Sequence, residues 1–312
     1  MLVQKTNCRL VLDSCCDLPR EILDEAGIEF FQFPFMMNDG EHLDDMGATM
    51  SHKDFYDRLR NGEVSGTAQI PLPTLMSKFK EYAKDGTPTV YLAFTAGLSG
   101  TFETVERVVE DLQKKYPKWE CYVVDTLMAS VAEGLLVYEA IRQYHRGMTA
   151  KELAAWAEEA RWYVHCLFTC DGLESLRRGG RIPDAAARLG EKLSLNPLLD
   201  FNPDGSLALA GVSRGRKKSL KALVEIYKND HVEEGEGTSI IVASADDEGS
   251  AKWVAEHLDL PKNSVPPLMS NIGPVIGSHV GPGMVAIVFW GEDRREKISI
   301  ADRIAGKLKG SK

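Results

Sequence analysis

Several features that identify whole classes of protein are missing from this sequence. No apolar run approaches the roughly 18 residues that a membrane span needs, and residues 1–9 lack the apolar core of a secretory signal. Positively charged residues are also in the minority, since the chain has 37 Lys and Arg but 46 Asp and Glu, and its formal net charge is −9. Because binding to a phosphate backbone needs a cationic surface, nucleic acid is not an expected main partner. We expect a cytoplasmic protein with at most transient membrane contact.

The cysteines likewise lack the arrangement of a disulfide framework or of a zinc site. There are six of them, without any Cys-x-x-Cys pair, in a chain of 312 residues with 44% hydrophobic residues. A chain of this size and composition can bury sizeable cores without disulfides. We therefore predict reduced, mostly buried thiols. The spacing of His165, Cys166 and Cys170 fits no zinc pattern, so we place them on a buried strand and predict no metal.

What the first half does contain is an alternation of strand and helix patterns. Short apolar runs at residues 9–13, 89–94 and 121–125 predict strands, and helical patterns follow them at residues 19–27, 102–116 and 130–145. Thr149 and Glu152 have the spacing of a capping box, which predicts one more helix. Near-continuous apolar strands separated by helices are typical of a parallel sheet covered on both faces. We predict a doubly wound, mostly parallel α/β domain over residues 1–164.

The second half has a different pattern. Strands are predicted at residues 167–170, 239–244 and 284–290, and helices at residues 219–228, 249–258 and 294–309. Asp204-Gly205 is typical of the tight turn of a hairpin. Because hairpin strands are separated here from the helices, we predict a two-layer α+β domain over residues 165–312.

Three predicted strands of the first half end in polar loops that lead into helices. These loops contain Asp13 and Ser14, then Ser99, Gly100 and Thr101, and finally Asp125. In a parallel sheet such loops share the carboxyl edge, where ligands usually bind. The loop at Ser99 is the best candidate, because the following helix N-terminus favours a carboxylate or a phosphate. The alternative is that Ser99 or Thr101 only caps the helix.

A second candidate is the segment Gly277-Ser278-His279-Val280-Gly281-Pro282-Gly283. We interpret it as a loop in which small residues leave His279 open to a ligand. The imidazole changes charge near neutral pH, and either ring nitrogen can donate to a carboxylate. A core or loop-stabilising histidine is the alternative interpretation. Together with the loop at Ser99, this segment predicts a site for a small anionic group.

Two basic clusters stand out in the acidic chain, at residues 177–181 and 214–218. Arginine forks match the geometry of carboxylate and phosphate groups, so the clusters could act as an anion clamp or as a docking patch for an acidic partner. The alternative interpretation is solvated surface charge.

Five motifs occur in a fixed order along the chain. They are Leu12-Asp13-Ser14-x-x-Asp17-Leu18-Pro19, Thr67-x-Gln69, Leu98-Ser99-Gly100-Thr101, Asp171-x-Leu173-x-x-Leu176-x-x-Gly179-Gly180-Arg181-Ile182 and Gly277-Ser278-His279-x-Gly281-Pro282-Gly283. In this order they resemble the DegV family from about residue 8 to the C-terminus. None of the motifs is decisive alone, and their order makes the resemblance specific.

This resemblance implies a bacterial fatty-acid-binding protein that is the acyl-carrying subunit of fatty acid kinase. It implies a long-chain fatty acid such as palmitate, stearate or oleate in a tunnel between the two α/β domains, without any other cofactor. A separate kinase subunit would phosphorylate the carboxylate to an acyl phosphate, and this chain would catalyse nothing alone. Thr67, Ser99 and His279 would hydrogen-bond the carboxylate, and Arg214 would lie close to it or gate the site.

The neighbouring motif residues are expected to shape this site. They are Asp13, Ser14, Gly100, Thr101, Asp125, Gly277 and Ser278. The basic cluster at residues 177–181 could dock the kinase subunit. Two departures from the family pattern are Cys15-Cys16, where small residues are usual, and Ala68, where a serine is usual. The accepted chain length or unsaturation could therefore differ.

Other functions stay open. Ser99 and His279 could be the nucleophile and base of a lipid hydrolase or acyltransferase, although Gly97-Leu98-Ser99-Gly100-Thr101 lacks the final glycine of a nucleophile elbow. A lipid-sensing regulatory protein would need the same pocket and a docking surface. A kinase acting by itself is disfavoured, since the chain contains no Gly-x-x-x-x-Gly-Lys-Ser/Thr loop.

Overall fold

A four-stranded sheet forms the centre of the first half. In this computed structural model, which describes residues 6–182, 195–232, 239–262 and 264–295, the strands are β1 (Arg9–Asp13), β2 (Glu29–Phe31), β6 (Thr89–Ala93) and β7 (Cys121–Asp125). They pair in parallel in the order β2-β1-β6-β7. Every residue of β6 is buried, so both faces of the sheet are covered. The three strands predicted in this half are confirmed, and β2 is an addition.

Helices α1 (Arg20–Ala26), α2 (His52–Arg60), α3 (Leu72–Asp85), α4 (Thr101–Lys115), α5 (Val131–His145) and α6 (Ala150–Ala160) accompany this sheet. Helix α3 packs against α4, and α5 packs against α6. The buried residues of α4 include Val105, Val108 and Leu112, whose helical spacing gives this helix its apolar face. The predicted capping box at the start of α6 is confirmed, because Thr149 and Glu152 satisfy each other's backbone N–H groups.

A small antiparallel sheet of the first half was not predicted. It contains β3 (Pro34–Met37), β4 (Gly40–Leu43) and β5 (Gly66–Thr67), in the order β4-β3-β5. Strands of two to four residues are too short to show a periodic pattern in the sequence. This sheet pairs Thr67 with Phe35 and thereby holds Thr67 in place.

The second half forms a six-stranded mixed sheet. Its strands are β8 (Val164–Thr169), β9 (Asn196–Phe201), β10 (Leu207–Ser213), β11 (Ile241–Ser244), β12 (Leu268–Asn271) and β13 (Val285–Trp290), in the order β10-β9-β8-β13-β11-β12. The turn at Asp204-Gly205 joins β9 and β10 as the predicted hairpin. Of the described pairs of this sheet, β11 and β12 are parallel and the others are antiparallel.

Helices α8 (Arg216–Asp230) and α9 (Glu248–Glu256) pack on this mixed sheet around a second core that includes Leu223, Val254 and Ile287. Two further α-helices of the second half are short, α7 (Glu174–Arg178) and α10 (Pro274–Val280). A parallel sheet with helices and a separate mixed sheet with helices confirm the predicted fold class. Of the helix predicted at residues 294–309, residues 296–309 lie outside the described residues.

Helix α5 lies between the two sheets. It contacts β1 of the parallel sheet and β8, β11 and β13 of the mixed sheet, and its residues 131–137 are all buried. The carboxyl edge of the parallel sheet is thereby held against the mixed sheet. The predicted division at residue 164 coincides with the start of β8. As a boundary between domains it stays a prediction, because α10 returns to contact β3 and β5.

The cysteines have the predicted state. All six lie among the described residues, and all are free and buried. Burial raises the pKa of the Cys15 and Cys16 thiols well above the ordinary value, so both stay protonated. No helix in the described ranges combines the length and the apolar composition required to cross a membrane.

Candidate functional site

Ser99 lies between β6 and α4, as the sequence predicts. The backbone oxygen of Thr95 accepts hydrogen bonds from the N–H groups of Leu98 and Ser99, both at 3.3 Å, and this shapes the loop. The Ser99 hydroxyl donates to Thr101 Oγ1 at 3.1 Å and accepts from the Thr101 N–H at 3.3 Å. Ser99 therefore forms a local side-chain turn just before α4, whose N-cap is Gly100.

His279 lies on a helix, and the predicted loop at this point is wrong. Helix α10 starts at Pro274, and Gly281 follows its last residue with a φ of 71°. Proline at the first helical position and glycine just past the end are usual helix boundaries, so these residues mark the ends of α10. Gly277 faces α2, where an added Cβ would lie 2.6 Å from the Tyr56 hydroxyl oxygen. A packed helix therefore holds His279 in position.

The side chains of Thr67 and His279 meet, although 212 residues separate them in the sequence. Thr67 Oγ1 lies 2.8 Å from His279 Nε2. Burial, together with the positive charges of Arg181 and Arg178, lowers the pKa of His279 to about 4. The imidazole is therefore neutral at physiological pH and has one donor and one acceptor nitrogen.

Thr67, Ser99 and His279 line one cavity between α10, the start of α5 and the mixed sheet. Its empty space, including the open mouth, is about 950 Å³. The polar lining residues are Thr67, Gln69, Ser99, Ser130, Arg181 and His279. The others are Cys15, Phe33, Ala68, Phe94, Leu98, Ala129, Val131, Cys166, Phe168, Leu176, Phe201, Leu207, Val275, Ile276, Val280, Met284 and Ala286. The wall is thus largely apolar, as in most small-molecule sites.

Most of the polar lining residues converge at one end of this cavity. Arg181 Nε donates to the backbone oxygen of Leu98, next to Ser99, at 3.2 Å. The Gln69 amide lies against the same loop, since an added Cβ at Gly100 would be 2.6 Å from Gln69 Nε2. With the pair of Thr67 and His279, these contacts define a polar end that presents hydroxyl, amide, imidazole and guanidinium groups.

Comparison with known proteins adds the family. A sequence model with the description "uncharacterised protein, DegV family" matches residues 7–292. The chain belongs to the DegV family. A DegV domain-containing protein of Clostridium perfringens is 35% identical over 284 residues, which cover 90% of this chain and 97% of the relative.

Solved DegV structures have the same fold. A DegV family protein of Thermus thermophilus, described for its fatty acid binding, has a TM-score of 0.76 at 25% identity, with 91% of this chain and 99% of that chain covered. A DegV lipid binding protein of Thermotoga maritima has a TM-score of 0.75 at 25% identity, with 92% and 99% covered. The predicted family is therefore confirmed.

Asp13, Ser14 and Asp125 hold loops together in this DegV chain. Asp13 Oδ2 accepts from the Tyr91 hydroxyl and the Phe94 N–H, both at 2.9 Å, and burial raises the pKa of Asp13 to about 6. The Ser14 hydroxyl oxygen accepts from a backbone N–H of the segment before β3 at 3.1 Å. Asp125 accepts from backbone N–H groups of the loops after β6 and after β7, at 3.3 and 2.8 Å. Through these hydrogen bonds the three residues shape the loops after β6 and β7 and the segment before β3.

The other expected site-shaping residues lie at the polar end or directly behind it. Gly100 and Thr101 form the start of α4, and Thr101 is buried. Ser278 precedes His279 on α10, and its Oγ lies 2.7 Å from Ser65 Oγ, two residues before Thr67. The hydroxyl pair of Ser65 and Ser278 therefore ties α10 to the segment that carries Thr67.

Arg214 is exposed between β10, which ends at Ser213, and α8, which begins at Arg216. It is not among the described residues that line the cavity, and its expected role close to the carboxylate or as a gate stays a prediction. The arginine at the polar end is Arg181, which the sequence placed in a possible docking cluster.

Three further polar residues that line the cavity were not predicted from the sequence as site residues. Two of them, Gln69 and Arg181, belong to motifs of the family pattern, and their place in those motifs could have identified them. Ser130 gave no signal: it precedes α5 with a φ of 57° and donates to Asp17 Oδ2 at 2.5 Å. Its place in the wall follows from the position of α5 between the sheets.

The geometry gives no support to a Ser99–His279 nucleophile and base. His279 Nε2 is bonded to Thr67, and the Ser99 hydroxyl is bonded to Thr101. A nucleophile and its base need a direct hydrogen bond or one that forms with substrate. Across the described ranges, no three His, Cys, Asp or Glu side chains are grouped so that they could hold a metal ion.

Proposed function

We propose that this chain binds a long-chain fatty acid, with the acyl tail in the cavity and the carboxylate at its polar end. The observation that carries the proposal is one largely apolar cavity whose hydroxyl, imidazole and guanidinium groups converge at one end. The DegV relatives described as lipid or fatty acid binding support the same ligand class.

The apolar wall would supply most of the affinity. Burying an acyl chain gains about 0.8 kcal/mol per CH₂ group, so a palmitate tail contributes roughly ten kcal/mol before the cost of ordering it. The polar end then serves to orient the ligand. The Thr67 hydroxyl can donate to a carboxylate, with the neutral His279 beside it. The Ser99 hydroxyl can donate to the carboxylate when it rotates away from Thr101 Oγ1.

The arginine of the polar end would not clamp the carboxylate as a fork. Arg181 donates from Nε to the Leu98 oxygen and from Nη1 to the Gly179 oxygen, at 3.2 and 2.5 Å. Two of its donors are therefore engaged by the backbone. The carboxylate keeps more of its nucleophilicity than it would in a bidentate ion pair.

We further propose that the chain presents this carboxylate to a separate fatty acid kinase subunit and does not itself catalyse a reaction. Ala68 and Gln69 line the cavity and are exposed, so the polar end is close to solvent. Exposed Arg178 lies near that end, because its charge acts on His279. An in-line attack on a γ-phosphate needs this access.

Mass spectrometry of the purified protein tests the ligand. The protein is measured under native conditions, then extracted with organic solvent and measured again. One fatty acid such as palmitate, stearate or oleate per chain is expected. Protein that is empty and takes up none of these three acids would leave only the fold in common with the fatty-acid-binding relatives.

The second step is tested with a fatty acid kinase catalytic subunit, ATP and the loaded protein. Formation of acyl phosphate, trapped with hydroxylamine, is expected only when both proteins are present. Acyl phosphate made by this chain alone, or covalent labelling of Ser99 by a fluorophosphonate, contradicts the non-catalytic role.

A further inference from the structure

Gly179 lies directly against the imidazole of His279. It follows α7 with a φ of −72°, a conformation that any residue adopts, so the backbone does not require glycine here. An added Cβ would lie 2.1 Å from His279 Nδ1 and 2.8 Å from its Cε1. The missing side chain is what allows the ring to reach its position.

This approach leaves one ring nitrogen without a partner. His279 Nδ1 is buried and has no hydrogen-bond partner among the described residues. A buried N–H without an acceptor is rare and destabilising, whereas an unpaired acceptor atom is better tolerated. This favours the neutral tautomer with its hydrogen on Nε2, 2.8 Å from Thr67 Oγ1, where Nε2 is the donor.

We propose that Gly179 is the positioning residue of the polar end, because it fixes both the orientation and the tautomer of His279. With Nε2–H donating to Thr67, the hydroxyl hydrogen of Thr67 is free to donate to the ligand. Only this last step rests on the proposed fatty acid ligand. His279 thus acts on the carboxylate through Thr67.

Burial, together with the nearby positive charges, keeps the His279 ring in the neutral form. Arg178 ends α7 and Arg181 lies two residues after Gly179, and both charges oppose a positive imidazole. Two described neighbours from other elements carry no charge. Thr67 on β5 is a hydroxyl partner of the ring, and Tyr56 on α2 donates its hydroxyl hydrogen to the Ile272 oxygen before α10.

Nitrogen NMR of ¹⁵N-histidine-labelled protein tests the tautomer, with His279 assigned by the variant His279→Gln. Wild type is expected to carry the hydrogen on Nε2 and to titrate at about 4. Gly179→Ala is expected to raise the pKa of His279 by about one unit or more, because the displaced ring gains solvent. Gly172→Ala is the matched control, since a Cβ there meets no atom within 4 Å.

The ligand step is measured as palmitate binding and as acyl phosphate formation with the kinase subunit. Gly179→Ala is expected to leave the dissociation constant for palmitate within about threefold of wild type, as for His279→Ala, because the tail supplies most of the affinity. It is expected to lower acyl phosphate formation by about tenfold, because the carboxylate is no longer aligned, and Gly172→Ala is expected to match wild type in both measurements. If wild type binds no fatty acid, the proposed function fails, and the NMR result still decides the role of Gly179.

A double-mutant cycle separates the steric clash between a side chain at position 179 and the His279 ring from general destabilisation. Gly179→Ala should lower Tm in wild type and have little effect in His279→Ala, where the ring that it strikes is gone. An equal loss of Tm in both backgrounds overturns the proposal. A wild-type His279 that carries its hydrogen on Nδ1 also overturns the proposal. This measurement is made on wild type and does not depend on the folding of any variant.

Discussion

Thr67, Ser99 and His279 reach the polar end of the cavity from three distant parts of the chain. Thr67 is on β5, Ser99 precedes α4 and His279 is on α10. Because His279 is neutral at physiological pH, these side chains contribute hydrogen bonds rather than a full charge. Removing one of them should disturb the orientation of a ligand more than its retention.

The first residue-scale prediction concerns Ser99→Ala and His279→Ala. Palmitate retention is expected to stay within about threefold of wild type, because the tail supplies most of the affinity. Acyl phosphate formation with the kinase subunit is expected to fall by about tenfold or more, because the carboxylate is no longer aligned. Ser77→Ala, exposed on α3, is the control. Equal loss of retention and phosphorylation contradicts an orienting role.

The second residue-scale prediction concerns the buried carboxyl group of Asp44. Burial raises the pKa of Asp44 to about 7, although hydrogen bonds with the Met46 N–H and the Ser14 side chain act to lower it. The folded protein thus keeps a proton that the unfolded chain loses near pH 4, about the ordinary value. The contribution of protonated Asp44 to the free energy of unfolding is therefore present at low pH and is lost as the pH rises from about 4 to about 7.

Asp44→Asn is therefore expected to lose less unfolding free energy than wild type over this pH range. The difference in slope should approach about 1.4 kcal/mol per pH unit. Urea unfolding at several pH values measures it, with Glu25→Gln, exposed on α1, as the control. Parallel curves for wild type and Asp44→Asn would show that Asp44 does not hold the proton.

At the scale of elements, α10 is the part that the sequence described least well. Gly277, Gly281, Pro282 and Gly283 suggested a loop, yet Gly277 lies inside a helix and Gly281 directly follows its last residue. This helix packs on α2, β3 and β5. Three strands of the parallel sheet, β1, β6 and β7, were predicted because each is a short apolar run, whereas the three-residue β2 was not predicted. Strand β5 has two residues and β12 four, so neither shows a period.

A prediction at this scale concerns the attachment of α10 to α2. The hydroxyl of the fully buried Tyr56 donates to the Ile272 oxygen at 2.8 Å, just before α10. Tyr56→Phe is expected to lower the unfolding free energy by about 1–3 kcal/mol, because a buried oxygen loses its donor. Urea unfolding measures this, and Tyr116→Phe, half-buried at the end of α4, is the control. Equal stabilities would mean that α10 does not depend on this bond.

At the scale of the molecule, the cavity lies where α5 and α10 bring the two sheets together. Its wall contains residues of β8, β9, β10 and β13 and residues of the loops after β1 and β6. A ligand there contacts both halves. Because it binds the folded chain only, it should stabilise the whole molecule.

The prediction at this scale is a rise in Tm with palmitate. A concentration of about 100 times the dissociation constant adds about 2.7 kcal/mol, which corresponds to several degrees. Acetate, a carboxylate without a tail, should cause no rise. Ala286→Phe, which fills the cavity from β13, should abolish the effect of palmitate. A palmitate shift that survives Ala286→Phe would place the ligand elsewhere.

The sequence by itself determined the family, three of the four parallel strands, the capping box and the buried state of the cysteines, because these depend on motif order, local periods, caps and composition. It also singled out Thr67, Ser99 and His279. Only the tertiary structure decided that Thr67 and His279 share a hydrogen bond and that Arg181, rather than Arg214, lines the cavity. Those contacts join residues far apart in the chain, and they depend on how α5, α7 and α10 pack against the sheets.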